Sequence, residues 1–413
     1  MEIIQLNESF KKEFLKVWRD SFLDTQTFEE EFSMRFFSQE DLWNQAYGWV
    51  DEGKLISTYL SLNVKILIRK KEFSAHYIDG IATLPEYRNR GLLFTQMLND
   101  AKRCLENNIP LMLVDPAKDS LYRKFGFEFA LDKYETFIPR EFLYETKDYE
   151  FSYKVSSDLL SKSQKLQCDY KEINRWLWSN SRYNEMKWPK CYEDVKFLDY
   201  EIKIVVAYEK KNKPVAYALY TIEKDKMYIK SFRYINLYGF YAIKNFIFNI
   251  DKEIVGFGLE SIPEDFPLDL IITHRWAIDK FLNHRKLISR MARIIDFKGL
   301  LEKLIVASPR RAISIYIKDN MLEENTGAYI ILMDGSVVKE DSTECELYAT
   351  IHTFVPLLTG LKSAEELYFN GKLKVNQGQD VYQSPLLIPD VIKELSYILP
   401  KDITYNADEY LAP

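Results

Sequence analysis

The chain has 413 residues, 47% hydrophobic and 29% charged, with a formal net charge of −6 and a pI near 5.6. That length asks for two or three domains, and the acidic balance argues against a nucleic-acid partner held by neutralising its phosphates. The four cysteines (Cys104, Cys168, Cys191, Cys345) lack any CxxC spacing, so neither a zinc site nor a disulfide framework is expected, and no metal.

The opening MEIIQLNESFKKEF lacks the basic-then-apolar layout of a signal peptide. No apolar run approaches the ~20 residues of a membrane span, so a cytoplasmic chain without a membrane partner is expected. Residues 8–22 place Phe10, Phe14, Val17, Trp18 and Phe22 at helical spacing. Strands are predicted at 45–50 and 55–62 around an Asp51-Glu52-Gly53 turn, with 63–70 either extending the second or starting another. Residues 73–84 read as a further strand with a bulge near Asp79-Gly80. Pro85 ends it, and the polar EYRNRG leads into a helix whose Leu93, Met97, Ala101, Cys104 and Leu105 share one face. A short strand (111–114) and a short helix (119–124, ended by Gly126) follow.

A polar run at 140–160 reads as a linker. Beyond it, strands at 201–209, 214–221 and 227–235 and an aromatic helix at 240–250 repeat the order of the first segment, which suggests an internal duplication. From about Asp296 a helix, strands at 311–319 and over AYIILMDG, and a helix at 386–397 make a separate α+β pattern. The expected domains are 1–145, 146–290 and 291–413.

The chemistry concentrates at Thr83-Leu84-Pro85-Glu86-Tyr87-Arg88-Asn89-Arg90-Gly91-Leu92-Leu93. A strand stops, a basic loop with one glycine follows, and a helix begins. A helix N-terminus offers unpaired N–H groups and the positive end of the macrodipole. Gly91 lets backbone approach a phosphate without a Cβ in the way, and Arg88 and Arg90 add charge. The loop reads as a diphosphate cradle.

The order of segments resembles the GNAT acetyltransferase superfamily, whose signature is Arg/Gln-x-x-Gly-x-Gly/Ala. Arg88-Asn89-Arg90-Gly91-Leu92-Leu93 matches it except that Leu93 replaces the final small residue. The resemblance implies acetyl-CoA as co-substrate, with its diphosphate on Arg88 to Phe94, Asn89 and Leu92 included. It implies a pantetheine arm along Ile81, Ala82 and Thr83, with a second contact at Ala117 and Lys118. Ser120–Phe127 resembles the superfamily's tyrosine-bearing helix and its Tyr-x-x-x-Gly-Phe ending. Tyr122 is then the group that protonates the departing thiolate, a phenol of reference pKa about 10 facing a thiol of comparable basicity.

Nearly the whole chain resembles one branch, the mycobacterial "enhanced intracellular survival" type, with a degenerate second GNAT domain and a sterol-carrier-protein-like C-terminal domain. Its further marks are Arg290–Asp296, Asp319 with Glu324–Tyr329, Thr350–Phe354 and Leu357–Gly360. The middle segment Asn236-Leu237-Tyr238-Gly239-Phe240 has no Arg or Gln three residues before its glycine, and reads as a non-catalytic copy. The resemblance implies a primary-amine acceptor (aminoglycoside, polyamine or lysine-type), a hexameric homo-oligomer, and the terminal carboxylate, here on Pro413, as general base. Asp79 acting through a water is the alternative base, and Asp24 is a candidate for facing a cationic substrate. His76, His274, His284 and His352 form no ligand-spaced set. The expectation is therefore an α/β (α+β) chain of tandem GNAT folds and a sterol-carrier-like domain, transferring acetyl directly to an amine. The alternative is a non-catalytic acyl-CoA or lipid carrier.

Overall fold

The structure, a computed structural model, describes residues 1–21, 42–144, 150–155, 164–187, 202–272, 284–376 and 387–405. They fall into two compact units. One comprises Met1–Leu131, Met186–Cys191 and Ser289–Asp402, the other Asp132–Glu185, Tyr192–Ile288 and Ile403–Pro413. Among the described residues no helix is long and apolar enough to cross a membrane.

The first unit opens with β1 (Glu2–Gln5), β2 (Ala46–Asp51), β3 (Lys54–Ile68) and β4 (Lys71–Thr83), paired antiparallel in that order. The ambiguous run at 63–70 extends β3. It reverses at Arg69 and Lys70, whose φ values of 51° and 62° suit a two-residue hairpin loop. Helix α1 (Lys11–Ser21) buries Phe14, Val17 and Trp18, the face its spacing predicted. Between the pairs Thr58–Ala82 and Leu60–Asp79 the register slips, so β4 carries the expected bulge. Gly80 sits there with φ 62°, and a Cβ on it would lie 2.5 Å from the Trp18 ring. Bulk at this position is excluded on two counts.

Helix α2 (Leu92–Glu106) lays Met97, Ala101 and Cys104 on Tyr59, Ile78, Met112 and Val114. It connects β4 to β5 (Leu111–Val114), which is parallel to β4. The short helix α3 (Asp119–Arg123) follows.

Further along the chain come β6 (Glu128–Pro139), β7 (Ser152–Val155), α4 (Gln164–Ser179) and β8 (Met186–Lys187), the last pairing with β3 in the first unit. The second unit then adds β9 (Lys203–Glu209), β10 (Lys213–Glu223), β11 (Lys226–Tyr234), α5 (Leu237–Asn249) and β12 (Gly256–Ile262). Its strand order is β6-β12-β11-β10-β9-β7. As β4 and β5 flank α2 and pair in parallel, so β11 and β12 flank α5 and pair in parallel. The repeated strand-strand-strand-helix-strand order is thus matched in topology.

Residues Met291–Ile294 of β13 (Arg285–Ile294) pair antiparallel with β5, completing the first sheet with a segment remote in sequence. Asp296 caps α6 (Phe297–Leu304) by accepting from Gly299 N. The strands β14 (Ile313–Lys318), β15 (Gly327–Ile331), β16 (Val337–Glu340), β17 (Leu347–Thr350) and β18 (Lys374–Val375) form a sheet of order β16-β15-β14-β17-β18. Around it lie α7 (Ile351–Leu358), α8 (Ala364–Phe369) and α9 (Asp390–Ile398). Phe297 centres this core, edge-on to Tyr329 at 4.7 Å and to Phe354 at 5.0 Å. From the β3–β4 turn, buried Arg69 donates to the carbonyls of Leu357 (3.1 Å) and Leu358 (3.3 Å). A cation at the C-terminal end of α7 satisfies orphan carbonyls and complements the helix dipole.

Candidate active site

The ladder between β4 and β5 runs from Ala75–Leu111 to Ile78–Val114 and stops, while β4 continues to Thr83. The next turn, Pro85–Tyr87, ends at Arg88, and Asn89 adopts φ 63°. Gly91 is the N-cap of α2, left-handed at φ 79°, ψ 5°, and among the described residues no side chain caps the helix. Among the described residues nothing lies within 4 Å of a Cβ placed on Gly91, and the first-turn amides of Leu92, Leu93 and Phe94 follow it. Trp49 Nε1 donates to the Leu92 carbonyl (3.2 Å), tying the turn to β2. Leu93 is half-buried against the α2 core and Phe94 is exposed.

The two arginines bond first to backbone carbonyls in and beside the loop. Arg88 donates to the carbonyls of Thr83 (3.1 Å) and Ser21 (3.4 Å). Arg90 donates to the Glu86 carbonyl (2.9 Å) and lies 4.8 Å over the Tyr87 ring. Upstream, the Ala82 carbonyl accepts from Ser57 Oγ (2.8 Å), while Ile81 is half-buried beside the α2 core.

Tyr122 lies on α3, 8% exposed, its ring edge-on to Phe127 at 5.9 Å. Burial pushes its pKa above the usual phenol value and the Asp79 charge adds to the rise, so the phenol stays protonated at neutral pH. Asp79 Oδ1 accepts from Gly80 N (2.7 Å), which holds the carboxylate in the bulge. Lys118 is the N-cap residue of α3, and both it and Ala117 are exposed. Asp24, His274 and Pro413 lie outside the described residues.

His76 belongs to a set that spacing along the chain does not reveal. Its Nδ1 lies 2.9 Å from Ser61 Oγ, 3.0 Å from Asp100 Oδ2 and 3.2 Å from Cys104 Sγ. Donor atoms of His76, Asp100 and Cys104 all fall within 4.8 Å of one another, and all three residues are buried. Asp100 also pairs with Arg103. Burial first, and the Arg103 charge second, lower His76 to about 4, while burial raises Cys104 to about 12. Both groups are therefore neutral near pH 7, and the set reads as a closed network under β4.

Residues 2–130 match the model of the acetyltransferase (GNAT) domain. The chain carries a GNAT acetyltransferase domain. Residues 297–390 match the sterol carrier protein domain. An uncharacterised N-acetyltransferase from Streptomyces griseus is 24% identical over 128 residues, which is 31% of this chain and 30% of the relative's length. Three solved structures share the fold along the chain. A probable N-acyltransferase of unknown function from Enterococcus faecalis V583 has a TM-score of 0.78 at 20% identity, covering 98% of this chain and 99% of its own. A GCN5-related N-acetyltransferase from Anabaena variabilis gives 0.79 at 16% with the same coverages. Eis1 from Mycobacterium abscessus gives 0.77 at 14%, again over 98% and 99%. Tandem GNAT folds followed by a sterol-carrier-like α+β domain are thus the architecture, as the order of motifs implied.

The GNAT domain is completed from far along the chain. Arg290 of β13, 1% exposed, is bidentate to Asp115 at the end of β5 (2.8 and 2.7 Å), and Tyr77 Oη reaches the same carboxylate at 3.3 Å. His352 Nε2 donates to the Arg123 carbonyl at 2.5 Å. No local pattern pointed to Asp115, Arg290 or His352 as site neighbours. The only available signal was that each lies in or beside a segment already marked by the family resemblance.

Proposed function

We propose that this chain is an acetyl-CoA-dependent N-acetyltransferase acting on a primary amine, with its site in the GNAT domain at 2–130. The observation that carries the reading is the start of α2: a helix N-terminus with no side-chain cap among the described residues, behind a left-handed Gly91 whose Cβ position is clear of them, at the end of a strand whose pairing with β5 has ended. That arrangement suits a diphosphate on the amides of Leu92, Leu93 and Phe94. Ile81, Ala82 and Thr83 on one side and Ala117 and Lys118 on the other would flank the pantetheine arm. Arg88, Asn89 and Arg90 shape the loop more than they neutralise the anion.

In the transfer, the amine nitrogen attacks the thioester carbonyl carbon. The C–N bond forms, the C–S bond breaks, and the thiolate takes the Tyr122 proton. A phenol kept protonated by burial begins in the form this step requires. The ammonium acceptor must lose a proton before attack, and the candidate bases are the Pro413 carboxylate and Asp79 through a water. Asp24 is a candidate for attracting the cationic acceptor. The Asn236–Phe240 copy is read as structural, and the assembly as a homo-oligomer.

The test is free-thiol release from acetyl-CoA with polyamines, aminoglycosides, lysine and peptides as acceptors. Tyr122→Phe should lower kcat by roughly 10²–10⁴ with acetyl-CoA affinity nearly intact. A loss below about threefold with a good acceptor would remove Tyr122 from the chemistry. Residues appended after Pro413 should cut turnover about tenfold or more if that carboxylate is the base, and leave it alone if Asp79 is. Binding of a fatty acid or sterol by a chain that does not turn over acetyl-CoA would favour the carrier reading.

A further inference from the structure

We infer that His352 of the sterol-carrier-like domain is a positioning residue for Tyr122, so that this domain serves as the template on which the acid helix is set. The inference rests on Tyr122 being the acid. Helix α3 spans only Asp119–Arg123, far below the length at which a helix holds itself in water. Its orientation is therefore decided by what grips its ends.

Three contacts from beyond residue 290 converge on it. The Arg123 carbonyl, one residue past the phenol, accepts from Gly126 N (3.1 Å) and from His352 Nε2 (2.5 Å) in the first turn of α7. A carbonyl only accepts, so His352 carries its proton on Nε2. Beneath the turn, Gly126 takes φ 84°, and a Cβ on it would stand 2.8 Å from Nε and 2.9 Å from Cζ of Arg293. That buried guanidinium is itself fixed by Asp319 and by the Ile294 carbonyl. At the side, Arg123 bridges Asp119 and Glu128, and Glu128 takes Lys372 Nζ at 3.1 Å. Of the three, His352 alone bonds the backbone of α3, so its loss frees the helix to tilt. A displacement of about 1 Å at a proton donor costs up to roughly 100-fold in rate.

The experiment is a double-mutant cycle in the full chain, following thiol release and thermal melting. His352→Ala should lower kcat about 10- to 100-fold and leave KM for acetyl-CoA within about twofold, because the diphosphate loop is held separately. His352→Gln, which restores an N–H near the position of Nε2, should recover most of the rate. In a Tyr122→Phe background His352→Ala should cost nothing more, since the two act as one unit. His352→Phe, which keeps a ring and loses the N–H, should give the same pattern and carries the cycle if His352→Ala does not fold. A full His352→Ala effect persisting in the Tyr122→Phe background, or wild-type kcat in folded His352→Ala, overturns the inference alone. An unchanged kcat in Tyr122→Phe overturns the acid role and this inference with it.

Discussion

Two helices in this chain start at the same topological point and end in opposite states. Both α2 and α5 follow the third strand of a strand-strand-strand-helix-strand run and lead into a strand parallel to the one before. At α2 the N-cap is a left-handed Gly91 with no side-chain cap, and no described residue lies within 4 Å of its Cβ position. At α5 the N-cap is Asn236, whose side chain accepts from Gly239 N at 2.9 Å. A Cβ on Gly239 would meet the Ala216 Cβ and the Val215 carbonyl at 2.8 Å. At α5 the chain's own side chain thus takes a first-turn amide, and the helix lies hard against β10 at Gly239. An N-cap of that kind stabilises a helix by about 1 kcal/mol, a contribution that Gly91 cannot make at α2.

The largest test of that contrast is Gly91→Glu. The left-handed backbone strain, roughly 1–2 kcal/mol, falls on free and bound protein alike and lowers stability, whereas a carboxylate beside a diphosphate costs several kcal/mol of binding. Acetyl-CoA affinity should fall by roughly 10³-fold, about 4 kcal/mol, in titration calorimetry. Gly239→Ala should instead lower thermal stability, by about 1–3 kcal/mol of overpacking, and leave acetyl-CoA binding alone. Unchanged affinity in folded Gly91→Glu would erase the distinction between the copies.

A second test uses the buried imidazole under the open copy. His76 is held at about 4 against an ordinary 6.5. The unfolded chain therefore takes up this proton near pH 6.5 and the folded chain only near 4. The contribution is complete above about 6.5 and is lost as pH falls to about 4, amounting to about 3 kcal/mol. Urea midpoints measured between these pH values should drop more steeply in wild type than in His76→Gln. Equal slopes would mean that His76 is not desolvated.

The smallest effect belongs to the closed copy. Asn236→Ala removes the cap and should cost about 1 kcal/mol of stability with no change in acetyl-CoA binding. A gain of acetyl-CoA binding at a second site in that variant would show that the cap alone had silenced the copy.

Much of the GNAT domain was legible because its signals are local. The face of α1, the turn before β3, the bulge at Asp79-Gly80 and the strand-loop-helix around Gly91 depend on periodicity, turn chemistry and backbone sterics within a few residues. Where the signals were weak the reading stopped short: nothing in residues 63–70 said that β3 runs unbroken to Ile68. Arg88 and Arg90 show the limit of reading charge from sequence. Their number was plain, but their first partners are backbone carbonyls, of Glu86 in the loop and of Thr83 and Ser21 at the ends of β4 and α1.

By itself the sequence determined the repeated order of elements, the strand-loop-helix around Gly91 and the short helix that bears Tyr122, since each is written in consecutive residues. Tertiary structure alone decided which remote groups grip them. Arg290 reaches Asp115 across 175 residues and His352 reaches Arg123 across 229. Asp100 and Cys104 of α2 meet His76 of β4 only because the helix packs on the sheet. Such pairings follow from strand order and shape complementarity, which leave no periodic trace in the chain, whereas a helix face or a turn is fixed by neighbours a few residues away.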